Sequence, residues 1–192
     1  PDKDDSGVPG MTENPDFHGL YERRHSGNEE VNYLASYRFM IKIGNEYGKG
    51  KTYTSVSKAD IPGLTDTSYS RIRSMMANLQ KKSFFKNYSN ANKKAFVFGV
   101  AMHTSTDTFA HSTYRYYNGT WYSITHAINE KKGQYKKNEA DNSKFVPERF
   151  DMAYRAERNT LYRYQGKRSD VAVCHDFHAA NDPDKYLSLI HI

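Results

Sequence analysis

The apolar run AFVFGVAM, residues 95–102, constrains the fold more than any other feature of this chain. Ser89 or Asn90 can cap a helix just before it, and the helical pattern continues to about Ser112. A helix that is apolar on most sides has to be covered by neighbouring elements. No apolar run in the chain approaches the ~20 residues that span a bilayer. We therefore predict a central, buried helix and no membrane-spanning segment.

Apolar residues recur at helical spacing in three other long segments. Asp66 or Thr67 can cap one of them, and Pro147 fits the first turn of another. Alternating strand patterns are essentially absent, and the Asn118-Gly119 pair predicts a turn. The fold class is therefore all-α, a single-domain helical bundle. Its helices are predicted from about 29 to the glycines at 44–50, at 66–82, at 89–112 and at 146–165, with a short one at 121–130.

Length and charge limit the domain organisation and the partners. A chain of 192 residues suits one domain, which we assign to residues 1–186. Its amino-terminal part is expected to be missing, because Pro1 is not a start residue, and residues 187–192 are expected to be a non-native tail. The net charge of +6 favours phosphate esters, nucleic acid or acidic lipid, although Lys and Arg are scattered. The single cysteine, Cys174, leaves the cellular compartment open.

Three titratable residues follow the apolar run at intervals of four, in AMHTSTDTFAH. Four residues are slightly more than one helical turn, so His103, Asp107 and His111 form a single stripe on the predicted helix. A carboxylate between two imidazoles suits metal binding, because each carboxylate oxygen can contact a different cation. The spacing therefore predicts a bridged pair of metal ions with Asp107 between them.

A plainer interpretation of the same stripe carries similar weight. His and Asp four residues apart also make simple contacts along a helix, and the surrounding Ser and Thr residues can form an ordinary polar face. The neighbouring apolar run favours a site, because it turns this helix inward and buried ionisable groups need a partner or a metal.

Other histidines and carboxylates can supply further ligands. His126 and Glu130 form a second pair four residues apart, with Asp141 as an alternative carboxylate. Each of these residues can equally be an ordinary surface group. His175 and His178, three apart, we interpret as surface residues. The remaining candidates, in the loop before the first helix, are His18 and His25.

The sequence resembles a known family in several places. FVFGVAMHTSTDTFAH is similar to a helix of the zinc-dependent phospholipases C, in which an apolar stretch with a Gly precedes a His, an Asp and a second His. PDKDD at the start resembles the Pro-Asp loop of that family, and FHGLY resembles its following His-aromatic segment. His126 and Glu130 resemble its later pair of ligands. The resemblance covers the chain from Pro1 to about Gln165.

The resemblance implies an all-helical bundle around two or three Zn²⁺ ions in a secreted protein. It also implies that the first two ligands precede Pro1. Asp107 would be shared with the metal that those ligands hold. The family separates its Asp from its second His by five residues, whereas three separate them here, which keeps the helix continuous. By position, one zinc would be held by His18, His103 and Asp107. Another would be held by His111, His126 and Glu130. Asp2 would lie near the attacking water as a ligand or general base.

The function expected from this resemblance is zinc-dependent hydrolysis of a phosphodiester by metal-activated water. Phospholipid would be the substrate, with peripheral membrane contact. Two alternatives remain open. One is a single-strand nuclease of similar helical fold, for which the basic charge and the tyrosines would bind and stack nucleic acid. The other is a non-catalytic helical module in which any metal is structural.

Overall fold

The structure is a computed structural model, and the residues that it describes are mostly α-helical. The described residues are Val8, Asn14, Asp16, Phe17, 33–111, 114–117, 120–123 and 147–167. They contain five α-helices: α1 (Tyr33–Gly48), α2 (Asp66–Lys81), α3 (Ser83–Asn87), α4 (Asn90–His111) and α5 (Pro147–Tyr164). The all-α fold class is thereby confirmed.

Local hydrogen bonds explain where the helices begin and end. The capping residue of α2 is Thr65, not Asp66 or Thr67 as predicted, because the Thr65 hydroxyl accepts from the backbone N–H of Ser68. At the start of α4 the Ser89 hydroxyl accepts from Asn92 N–H, as predicted. Gly50 and Gly166 follow α1 and α5 with φ of 78° and 73°, a conformation that ends a helix and favours glycine. The four long helices lie close to their predicted bounds.

The structure corrects the prediction for residues 121–123. Strands β1 (Tyr114–Tyr117) and β2 (Thr120–Ser123) form a two-stranded antiparallel sheet in which Tyr117 pairs with Thr120. The predicted helix at 121–130 is therefore wrong for its first three residues, and the rest of it lies outside the described residues. The aromatic residues of YRYY and TWYS favour an extended backbone, and an Asn-Gly pair between them is a common hairpin signal.

α4 is the central helix, because it packs against both α1 and α5. A Cβ atom at Gly44 would lie against Phe98, and one at Gly48 would lie against Lys94, so α1 and α4 run antiparallel. The Lys94 ammonium donates to the Tyr164 carbonyl at 2.7 Å, which places the carboxyl end of α5 beside the amino end of α4. The three helices therefore share one interface along the length of α4.

The apolar core joins this interface to α2 and α3. The face of α2 that carries Ile72, Met75, Met76 and Leu79 is buried, and the Phe85 ring of α3 packs edge-on against Tyr47 of α1 at 5.5 Å. None of the helices in the described part of the chain is both long and apolar enough to span a membrane.

Candidate functional site

The interface of α1, α4 and α5 changes from apolar to polar along its length. Near Gly44 it is filled by Phe98, Val97 and Ile43, all buried. Two helical turns further along α4 the buried residues are polar, and their side chains come from all three helices: Ser36, Thr104, Ser105, Asn159 and Thr160. Buried polar side chains reduce the apolar area that stabilises a bundle. This half of the interface is therefore the candidate site.

Most hydroxyl groups in the polar half are satisfied by the helix that carries them. Thr104 donates to the Val100 carbonyl at 3.0 Å, and Ser105 donates to the Met102 carbonyl at 2.8 Å. Thr106 donates to the carbonyl of His103 at 2.9 Å. Such bonds to the preceding turn need no ligand. His103 and Asp107 differ from these hydroxyls, because an imidazole and a carboxylate can exchange protons or bind a cation.

His103 and Asp107 contact each other directly, one turn apart on α4. His103 Nε2 lies 3.1 Å from Asp107 Oδ2, and the two side chains are only 17% and 13% exposed. Because α1 and α4 are antiparallel with Gly44 beside Phe98, Ser36 lies at about the level of this turn. The pair is therefore a partly buried imidazole–carboxylate contact in the polar half of the interface.

The spacing of these two atoms fits a shared metal ion. Ligand distances of about 2.0–2.2 Å in a tetrahedral zinc site place neighbouring donor atoms roughly 3.3–3.5 Å apart. The observed 3.1 Å between His103 Nε2 and Asp107 Oδ2 is close to that range. The same distance also suits an ordinary hydrogen bond between a protonated imidazole nitrogen and a carboxylate. Both interpretations made from the sequence therefore agree with the contact.

The structure describes the side chains of two of the seven predicted site residues. His111 ends α4, so the helix is continuous through all three positions of the stripe, as its spacing predicted. The His111 side chain is not described, and neither are Asp2, His18, His126 and Glu130, nor the alternatives His25, Asp141, His175 and His178. Among the residues that are described, no three His, Cys, Asp or Glu side chains are grouped as a metal site would require.

One buried carboxylate was missed from the sequence. Asp16 is fully buried, its backbone N–H donates to Asn14 Oδ1, and its Oδ1 accepts from the Ser36 hydroxyl at 3.0 Å. The nearer guanidinium nitrogen of Arg71 lies 3.7 Å from its Oδ2. Burial raises the pKa of Asp16, and hydrogen bonds from Ser68 and Ser36 together with Arg71 only partly oppose it.

Asp16 also has a signal in the sequence. It belongs to a second Pro-Asp pair, in TENPD, directly before the FHGLY segment that contains His18. Its bond to Ser36 holds Asp16 against α1 at about the level of the His103–Asp107 turn. Asp16 is therefore a buried carboxylate at the polar half of the interface, two residues before His18 in the sequence.

The chain was compared with known proteins by sequence and by structure. No family model matches it, and no curated protein or solved structure does so either.

Proposed function

We propose that this protein is a zinc-dependent phosphodiester hydrolase that resembles the phospholipases C. The observation that carries the proposal is the contact between His103 and Asp107, 3.1 Å apart and partly buried in the polar half of the interface. The two atoms, His103 Nε2 and Asp107 Oδ2, are a nitrogen and an oxygen of the types that bind zinc. Their spacing is close to that of neighbouring ligands on one zinc ion. The proposed substrate is a phospholipid or another phosphodiester, with peripheral contact to the membrane and a secreted location.

The proposal assigns separate roles to the residues of the stripe. His103 contributes Nε2, and Asp107 contributes one oxygen beside it and a second oxygen that can face another ion. His111 extends the stripe by one turn. We propose that the remaining ligands are His18, His126 and Glu130, and that Asp2 is a ligand or general base near the substrate. In this arrangement two or three zinc ions would be held between the polar half of α4 and these residues.

The chemistry also depends on the surroundings of these residues. When bound, zinc supplies a Lewis acid that withdraws charge from a phosphoryl oxygen and activates water as a nucleophile. The low exposure of His103 and Asp107 limits competition from bulk water and strengthens their attraction for a cation. The Ser and Thr hydroxyls around them are held by backbone carbonyls and keep the helix regular at this point.

Zinc analysis and a hydrolysis assay test the proposal together. The chain, freed of metal by chelator and dialysed against zinc, should retain at least one ion and gain thermal stability, because ligands that bind the folded state stabilise it. The full-length protein should then hydrolyse a phosphocholine ester or a generic phosphodiester, and chelator should abolish that activity. Absence of both bound zinc and a thermal shift would show that the central claim is wrong.

Conservative variants separate a metal site from a simple helix contact. His103→Gln and Asp107→Asn keep the size of each side chain and weaken its ability to bind zinc. Asp151→Asn is the matched control, since Asp151 also contacts a residue four positions away on a helix, Arg155, but is 67% exposed. Zinc retention should fall in the first two variants and stay unchanged in the third. Cleavage of single-stranded DNA without cleavage of phospholipid would favour the nuclease alternative.

A further inference from the structure

Several large apolar side chains lie on the outer face of α5 rather than in the interface. Among the described side chains these are Phe150, Tyr154, Leu161 and Tyr162, which are 61%, 58%, 48% and 37% exposed. Phe150, Tyr154 and Leu161 lie within roughly 40° of one another around the helix. The described residues on the face that packs in the interface are Ala153, Ala156, Asn159, Thr160 and Tyr164, and of these Tyr164 alone is large and aromatic.

In an ordinary amphipathic helix the large apolar residues face the core, so their number on the outer face of α5 needs an explanation. Burial of Phe150, Tyr154 and Leu161 would stabilise the fold, yet all three are left in water. Single exposed apolar residues are common, but a continuous stripe of them marks an interaction surface. We refer to Phe150, Tyr154, Leu161 and Tyr162 as the α5 stripe.

A group of lysines lies beside the carboxyl end of the α5 stripe. The Lys167 ammonium lies 5.9 Å from the centre of the Tyr162 ring, and that of Lys94 lies 4.7 Å from the centre of the Tyr164 ring. Lys94 and Lys49 line the same open cavity of about 580 Å³, together with Asn45, Gly48, Ala91 and Tyr164. We call Lys49, Lys94 and Lys167 the basic end.

Basic residues outnumber acidic ones around the basic end and the α5 stripe. The described basic residues there are Lys49, Lys51, Lys94, Arg155, Arg158 and Lys167. Some acidic groups lie nearby. Glu46 pairs with Lys49 and Lys51, and Asp151 pairs with Arg155 on α5. Arg158, which is exposed, and Glu157, which is half-buried, both lie on the same side of α5 as Leu161. Positive charge therefore exceeds negative charge around the α5 stripe and the basic end.

We propose that the α5 stripe and the basic end together form a surface that docks on an anionic lipid membrane. A helix with aromatic and aliphatic residues on one side, flanked by Arg and Lys, can lie in the membrane interface with its apolar side chains among the acyl chains. Lysines near an anionic membrane are attracted to its surface potential. Tyr154 and Tyr162 suit the boundary, because they combine an apolar ring with a polar hydroxyl.

The size of the α5 stripe argues against a second copy of this chain as the partner. From Phe150 to Leu161 the helix advances about 16 Å, and a helix face is on the order of 10 Å wide. That surface is far smaller than the roughly 800 Å² that each partner contributes to a stable protein complex. A membrane needs no matching protein surface, and a few inserted side chains with basic neighbours suffice for reversible binding.

The composition of the stripe also favours lipid over nucleic acid. Aromatic rings stack on bases, but the aliphatic Leu161, which lies on the same side of the helix as Phe150 and Tyr154, offers no stacking surface. The membrane proposal rests on α5 and the basic end alone. It does not depend on zinc or on hydrolysis, so it can stand or fall separately from the proposed function.

Vesicle flotation in the presence of chelator tests the membrane proposal without any contribution from a metal site. The full chain is mixed with vesicles of phosphatidylcholine alone, or with vesicles that contain about one-third phosphatidylserine. We expect it to float with the phosphatidylserine vesicles and to bind the neutral ones at least fivefold more weakly. Equal binding to both, or binding to neither, would overturn the proposal.

Two classes of variant assign the binding to the named residues. Leu161→Glu and Tyr154→Glu should weaken binding by about tenfold, because they replace inserted apolar groups with a charge. Lys167→Gln should weaken it by about fivefold, and only for the anionic vesicles. Ser70→Glu is the matched control, since Ser70 is exposed on α2, which packs against α1 and α3, and this variant adds the same charge.

Further results would overturn the proposal. If Leu161→Glu and Tyr154→Glu bind as well as Ser70→Glu, with circular dichroism showing that all are folded, the α5 stripe is not the docking surface. If the native chain is a dimer by sedimentation and Leu161→Glu is a monomer, the stripe binds a second copy instead. If the chain binds single-stranded DNA but no vesicles, its partner is nucleic acid.

Discussion

The Phe98 ring lies so close to Gly44 that a Cβ atom on Gly44 would come within 2.7 Å of its Cδ2 atom. Phe98 has little room to move, because it is 3% exposed and packs edge-on against Tyr164 at 5.3 Å. Glycine is otherwise unfavourable inside a helix, by about 1 kcal/mol relative to alanine. Its presence at position 44 is therefore explained by the close approach of α1 and α4.

Gly44→Ala should lower the free energy of unfolding, whereas Gly99→Ala should raise it. Overpacking at position 44 costs about 1–3 kcal/mol, which offsets or exceeds the gain in helix propensity. Gly99 is exposed on α4 with no atom near its missing Cβ, so alanine there should stabilise by about 0.5–1 kcal/mol. Urea unfolding of both variants checks this. Equal effects at the two positions would contradict the close packing of α1 on α4.

Tyr37 and Thr160 should be energetically coupled across the interface of α1 and α5. Their oxygens lie 2.9 Å apart and are buried, and Thr160 uses its hydrogen on the Ala156 carbonyl, so Tyr37 donates. Tyr37→Phe should cost about 0.5–1.5 kcal/mol, as does the loss of a typical hydrogen bond.

A double-mutant cycle with Thr160→Val measures the coupling. Once either partner is replaced, the second replacement should cost less than it does in the native chain. Additive losses in the double variant would show that this hydrogen bond does not contribute to stability.

Tyr47 should make the protein less stable at alkaline pH. Burial raises the pKa of its hydroxyl above the usual value of 10.0, although a hydrogen bond from Gln80 partly opposes this. When the pKa of an acid is higher in the folded than in the unfolded state, its contribution to stability is fully present at every pH below the unfolded-state pKa. That contribution is lost as pH rises from about 10 through the folded pKa.

The measurement is urea unfolding between about pH 8 and pH 11 for the native chain and Tyr47→Phe. The variant lacks the titrating hydroxyl, so its stability should fall less steeply above about pH 10. A constant difference between the two chains across this range would show that Tyr47 ionises equally in the folded and unfolded states.

Asp107→Ala should lose more zinc than either His103→Ala or His111→Ala. We propose that its carboxylate is shared between metals, so its removal weakens every site that it touches, whereas each histidine serves one. Zinc per folded chain measures this, with circular dichroism to confirm helicity and Asp151→Ala as the exposed control on α5. Full zinc retention by a folded Asp107→Ala variant would mean that Asp107 serves only as the helix partner of His103.

The long helices were predictable because each carries its information locally. Apolar residues at helical spacing marked α2 and α4, and Ser89 was predicted as a cap, whereas the cap of α2 is Thr65 rather than Asp66 or Thr67. The five residues of α3 are too few to show a period. Strands β1 and β2 have four residues each, and aromatic runs of that length do not distinguish a strand from a helix. Their pairing depends on a contact that neither strand encodes alone.

The same distinction applies to the candidate site. The contact between His103 and Asp107 follows from four-residue spacing on one helix, so the sequence was enough to predict it. Asp16 meets Ser36 across twenty residues, and no local pattern predicts which hydroxyl a distant carboxylate will find. Its burial became visible only once α1 and α2 were assembled around it.

The antiparallel packing of α1 on α4 also has a consequence for synthesis of the chain. Gly48 ends α1 and Lys94 covers it, so α1 lacks its main partner until α4 has been made. At ~5–20 residues per second, the roughly sixty residues from the end of α1 to the end of α4 take about 3–13 s to add. During that delay the side of α1 that carries Gly44, against which Phe98 packs in the folded protein, has no α4 to cover it. A nascent chain paused before Asn90 would therefore be a natural client for chaperones that bind exposed apolar segments.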